Sequence, residues 1–263
     1  MSTRSDRRPL VSGNWKMHHD HIEAIRTVEA LGLRMREGRV EDVDVSVHPP
    51  FTDLRSVQTV LADRSLALLL GAQSCHWEDQ GAFTGEVSAR MLARLDVKLV
   101  IVGHSERRLH CGESDEVVAR KLGAVLRHAM TPILCVGETA DERAAGLTEQ
   151  RLVEQVERAF GGVAPAALAT CVVAYEPIWA IGVGAAATPE DAAAASEVVR
   201  SVVSKLAGKS AAEALRVLYG GSVDPENTAS LVGADGVDGV LVGGASLDPE
   251  KFYRIVEGAR ALR

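Results

Sequence analysis

Aromatic residues are sparse in this chain, 4% of 263, and positive charge is outweighed, the formal net charge being −7. Together these leave no basic surface interleaved with stacking side chains, so nucleic acid and anionic membrane are excluded as partners. Cysteine is also scarce. The four, at 75, 111, 135 and 171, show neither CxxC spacing nor the density of a disulfide scaffold, which predicts a reducing, cytoplasmic setting. No run approaches the roughly 18 apolar residues of a membrane span, and the charged opening MSTRSDRRP lacks the apolar region of a signal peptide. Metal ligation is not expected either. His18, His19 and His21 form a short surface run and Cys75 adjoins His76, but neither is a closed ligand set. The cysteines have no flanking base that would make a thiolate, and read as inert.

What is present is an apolar fraction of 46%, ample for an extended core. Eight apolar, β-branched runs recur: PLVSGNW (9–15), VDVSVHP (43–49), LALLLGAQ (66–73), KLVIVGH (98–104), TPILCVGE (131–138), CVVAYE (171–176), LRVLYGG (215–221) and DGVLVGG (238–244). Helical patterns follow them, as in 21–38, 113–130 and 248–262, with caps at Ser114 and at Thr188, the latter ahead of Pro189. Strict alternation with strands apolar on both faces predicts an α/β fold with a parallel sheet, closed into a (β/α)8 barrel, as one domain over 1–263. A doubly wound open sheet is the alternative. It is weakened because no GxGxxG follows a strand and opens a helix.

Several strands end in chemistry. Glu176 closes CVVAY and precedes PIWAIGVG, so a carboxylate stands beside a segment that reads as a lid over Pro177, Ile178, Trp179, Ala180, Ile181, Gly182, Val183, Gly184, Ala185, Ala186 and Ala187. The bland readings are a solvated carboxylate and an ordinary linker. His104 ends the fourth run, where it is a candidate electrophile rather than a structural histidine, and Asn14 and Lys16 leave the first, where Lys16 can supply positive potential for an anionic substrate. The seventh and eighth runs end in the glycine pairs of YGGS and VGGAS, each before a helix start. Those glycines could merely turn the chain, but in a closed barrel the loops after strands seven and eight are the usual phosphate site. The stretch 74–87, SCHWEDQGAFTGEV, is long for a connection and carries Trp77 and Phe83, so it is either folded on its own barrel or an arm onto another subunit.

Taken in order, GNWKM, GAFTGE, VGHSERR, CVGET, AYEPIWAIG, YGGSV and DGVLVGGASL resemble the triosephosphate isomerase family over essentially the whole chain. The resemblance implies a TIM barrel and a cofactor-independent aldose-ketose isomerase of glycolysis and gluconeogenesis, interconverting dihydroxyacetone phosphate and D-glyceraldehyde 3-phosphate through an enediolate. It implies Glu176 as the base, His104 as a neutral electrophile, Lys16 and Asn14 as stabilisers of negative charge, and Glu106 as the carboxylate that organises Lys16. Substrate contacts would come from Asn14, Trp15 and Lys16 and from the backbone of Gly182, Ser222, Gly243 and Gly244, with Tyr219 latching the lid at Ala187. It further implies a homodimer in which the loop at 74–87 reaches the neighbour, Thr84 of one copy approaching Asn14 of the other. The lid departs from the family's usual Gly-Thr-Gly-Lys-Thr-Ala, and Ser74 and His18 stand where asparagine is common. A paralogue acting on a four-carbon ketose phosphate with the same residues is the alternative.

Overall fold

The computed structural model describes residues 7–181 and 187–260. All eight apolar runs are strands: β1 (Leu10–Asn14), β2 (Asp44–His48), β3 (Leu69–Ala72), β4 (Leu99–Val102), β5 (Thr131–Val136), β6 (Val172–Tyr175), β7 (Arg216–Tyr219) and β8 (Gly239–Val242). They pair in parallel and in chain order, and β8 returns to β1, so the sheet is a closed barrel and the open-sheet alternative falls. Helices cover the outside.

Closure explains why the strands are apolar on both faces. Alternate residues of a strand point to opposite sides. In β1, Leu10 joins Leu99, Ile101, Ile133, Val172, Leu218 and Leu241 in a cluster inside the barrel, while Val11 packs outward with Val45, Val100 and Val173 against the helices. Both clusters are almost fully buried, each large side chain contributing roughly 1.5–3 kcal/mol relative to exposure.

The caps read from sequence hold. Ser114 accepts from the Val117 amide at the start of helix Asp115–Arg127, two residues later than the pattern beginning at 113. Thr188 and Asp191 form a reciprocal capping box at Pro189–Ala207, satisfying amides that a helix start leaves without partners. Among the described residues no helix is long and apolar enough to cross a membrane.

Candidate active site

The C-terminal ends of β1, β4, β6, β7 and β8 surround a cavity of about 250 Å³, lined by Asn14, Lys16, His104, Glu176, Ile181, Ser222, Leu241, Gly243 and Gly244 among others. Glu176 follows β6 directly and is 2% exposed. Its backbone runs so close to the exit of β5 that only glycine fits at 137, and position 220 is crowded as well. A Cβ at Gly137 would lie 1.8 Å from the Glu176 carbonyl oxygen, and one at Gly220 would lie 3.0 Å from Glu176 Cγ. The side chain is held from one end. Oε2 accepts the Ser105 amide at 2.9 Å, whereas Oε1 is buried without a hydrogen bond, 3.2 Å from His104 Nε2 but badly aligned with it. A buried carboxylate oxygen left unpaired is costly unless something else engages it.

His104 is the residue before the short helix Ser105–Cys111 and is brought round by Gly103, whose φ of +71° a side chain would resist. The Glu106 amide donates to His104 Nδ1 at 3.2 Å, so that nitrogen carries no proton and the ring proton sits on Nε2, facing Glu176. Lys16 stands on the opposite side, its Nζ paired with Glu106. Burial pushes the Glu106 carboxyl up, but the hydrogen bond from Lys16 and the positive charge around it together outweigh burial and leave the group below its ordinary value. Lys16 itself has a φ of +54°, uncommon for a side-chain-bearing residue. Four hydrogen bonds hold that turn: Lys16 N–H donates to Asn14 Oδ1 at 3.0 Å, Gln73 Nε2 donates to the carbonyls of Lys16 at 2.7 Å and His48 at 2.9 Å, and Trp15 N–H reaches the His48 carbonyl at 3.2 Å.

Across the cavity, a Cβ on Gly243 would lie 3.6 Å from Lys16 Cε, while nothing lies within 4 Å of one on Gly244, so the turn after β8 offers open backbone beside an ammonium. Ser222 lines the same wall. Such a place suits an oxyanion.

Trp15 departs from the expectation of a substrate contact. Its indole is fully buried and does not line the cavity; Nε1 donates to the Ser246 carbonyl at 3.1 Å, bracing the turn after β8 from behind. Of the expected lid, Gly182, Val183, Gly184, Ala185 and Ala186 lie outside the described residues, Gly182 also as a phosphate contact. The flanks are described. Pro177 and Ala180 are buried, Ile178 and Trp179 are half-buried in a single helical turn, Ile181 lines the cavity, and the Ala187 amide donates to Tyr219 Oη at 3.0 Å.

Sequence reasoning assigned no role to Glu138, although it leaves β5 much as Glu176 leaves β6. It is fully buried, and Oε1 accepts from Trp179 Nε1 at 2.7 Å and Tyr175 Oη at 3.1 Å. Burial first, then this carboxylate, pushes the Tyr175 phenol up. Cys135 lies beneath Glu176, and burial, with that carboxylate next, pushes its thiol well up, as burial takes Cys75 and Cys171 to about 12. Among the described residues no group of three His, Cys, Asp or Glu could hold a metal ion.

Residues 9–259 match the sequence profile of the family described as triosephosphate isomerase. The chain belongs to the triosephosphate isomerase family. A triosephosphate isomerase of Corynebacterium glutamicum is 48% identical over 97% of this chain and 99% of its own, and one of Corynebacterium diphtheriae is 49% identical over 97% and 98%. The crystal structure of triosephosphate isomerase from Bartonella henselae superposes with a TM-score of 0.86 at 33% identity, covering 97% of this chain and all of that one. The family resemblance first read from seven motifs is therefore carried by the full barrel.

Proposed function

We infer that this chain interconverts dihydroxyacetone phosphate and D-glyceraldehyde 3-phosphate by cofactor-independent proton transfer through an enediolate. The observation that carries the reading is the unpaired, buried Oε1 of Glu176 lying 3.2 Å from His104 Nε2 on a cavity whose far wall is glycine backbone beside Lys16. Glu176 takes the proton from the carbon next to the substrate carbonyl, and His104 donates its Nε2 hydrogen to the carbonyl oxygen as negative charge develops there. His104 Nε2 then takes back the proton of the hydroxyl on the adjacent carbon, restoring the neutral ring, and delivery of the Glu176 proton to the carbon that bore the original carbonyl completes the exchange of ketone and aldehyde. Lys16, ordered by Glu106, and the Asn14 side chain stabilise the intermediate, acting where water is excluded and charge interactions are strong. Ser222, Gly243 and Gly244 supply amides for the phosphate, with Gly182 as a further candidate and the segment 177–187 as the cover. The relatives named above carry the three-carbon name, and no observation favours a four-carbon substrate.

Replacing Glu176 by Gln removes a base and almost no volume. We expect kcat to fall about 10²- to 10⁴-fold with inorganic phosphate still inhibiting at unchanged concentration, and near-normal turnover would overturn the assignment.

The same reading includes a cytoplasmic homodimer joined through the loop at 74–87. Phe83 at its tip is 42% exposed and Met17, next to Lys16, is 93% exposed, both apolar surface of the kind a second copy covers. Sedimentation showing only a 28.0 kDa species at micromolar concentration would exclude the dimer.

A further inference from the structure

Arg143 lies outside the cavity, on the short helix Ala140–Ala144 that follows β5, yet it touches Trp179 near the start of the segment that begins just after Glu176 and Asp191 just beyond the end of that segment. Its guanidinium carbon sits 4.1 Å from the centre of the Trp179 ring, on the face of an indole whose edge is already tied to Glu138. Its Nη2 donates to Asp191 Oδ1 at 2.9 Å, and Nη1 is 3.6 Å from Glu138 Oε1. Asp191 in turn spends its other oxygen on the far end of the segment, where Oδ2 accepts the Thr188 amide at 3.0 Å and its hydroxyl at 3.2 Å, next to the Ala187 amide held by Tyr219. One side chain thus spans from Trp179 to the cap of helix Pro189–Ala207.

We propose that Arg143 is a positioning residue that registers the two flanks of segment 177–187 against each other, and through Trp179 the chain that carries Glu176. This rests on the isomerase reading for its kinetic consequence but not for its structural one. The job requires a planar cation. A guanidinium can lie flat on an indole while its edge donates to a carboxylate, whereas an ammonium is a point charge that cannot satisfy both geometries at once. The loop hydrogen bonds on either flank could each exist without Arg143, so its specific contribution is the link between them, and a link is measured as coupling.

The test uses Asp191→Asn, which keeps an oxygen for the Thr188 amide but removes the charge that Arg143 pairs with, together with Arg143→Met and the double variant. The full chain is labelled with 5-fluorotryptophan, and the Trp179 resonance is assigned by its loss in Trp179→Phe. Asp191 does not touch Trp179, so a flank-to-flank link predicts that Asp191→Asn shifts the Trp179 signal in the wild-type background and leaves it in place in the Arg143→Met background. In turnover, each single variant is expected to lose about tenfold in kcat with a smaller change in KM, and the double variant no more than either. An unmoved Trp179 resonance in Asp191→Asn, or kcat losses that multiply in the double variant, would overturn the proposal. If the wild-type chain does not isomerise triose phosphates, the isomerase reading fails, while the fluorine measurement still decides the link.

Discussion

The two sides of the barrel interior are filled with opposite chemistry. On the side of β4 to β8 the inward positions are Leu99, Ile101, Ile133, Cys135, Val172, Ala174, Leu218 and Leu241, an apolar plug beneath Glu176. On the side of β1 to β3 Leu10 and Leu69 continue that plug at its base, but the remaining inward positions include Ser12, Ser46 and His48, all fully buried, with no side chain at Gly71. Here the interior is held by a directed chain of hydrogen bonds. The Ala72 carbonyl can only accept, so His48 Nδ1, 3.2 Å away, must donate. That leaves Nε2 to accept from the Ser46 hydroxyl at 3.1 Å, whose oxygen then accepts from Ser12 at 2.7 Å. The apolar side shields the Glu176 carboxylate from water. The polar side anchors the turn that carries Lys16, because the His48 carbonyl receives both the Trp15 amide and the Gln73 amide. Two kinds of packing thus support Glu176 and Lys16, the two groups to which the proposed function assigns proton transfer and charge stabilisation.

The largest consequence of that asymmetry is a pH dependence. Burial, only partly offset by the Ala72 carbonyl, lowers the His48 pKa from 6.5 to about 4. Below pH 6.5 the unfolded chain therefore takes up a proton that the folded chain refuses, so stability falls as pH drops from about 6.5 and levels off below about 4. The full difference is about 3 kcal/mol. Urea unfolding across this window should give a shallower acid-side decline for His48→Leu than for wild type, and identical slopes would place the titration elsewhere.

Steric fit comes next. A Cβ on Gly71 would lie 2.2 Å from His48 Nδ1 and Cε1, so Gly71→Ala should cost about 1–3 kcal/mol, most of it recovered when combined with His48→Ala. Simple addition of the two losses would show that the ring and the missing side chain are not matched. The smallest effect belongs to the far end of the chain of hydroxyls. Ser12→Ala removes one donor from Ser46 and should destabilise by about 1 kcal/mol in thermal unfolding, and no measurable change would mean that the Ser12 end of the network adds nothing.

Much of the fold was legible because closure of a parallel barrel buries strands on both faces, and such strands announce themselves as apolar runs. Edges were less so. The run read over 66–73 is a strand only from Leu69 to Ala72, because Leu68 is buried against the core before pairing begins, after an exposed Ala67. Asn14, Lys16, His104, Glu176, Ser222, Gly243 and Gly244 could be picked out because each sits at a strand exit, and all of them line one cavity. Trp15 shares that position in the chain but faces the other way, since neighbours on an extended stretch point to opposite sides. Glu138 and Arg143 carried no local mark that separated them from surface charges, for their partners Tyr175, Trp179 and Asp191 lie 36 to 48 positions further on.

Local periodicity, caps and the order of polar residues after apolar runs are properties of near neighbours along the chain, so strand number, barrel class and the candidate groups were already written in the amino-acid order. Which exits face one another is not local. The 3.2 Å approach of His104 to Glu176, the turn of Trp15 away from the cavity and the hydrogen-bond direction through His48 were decided only when β8 closed onto β1, because pairing register sets distances between residues that the linear chain leaves far apart.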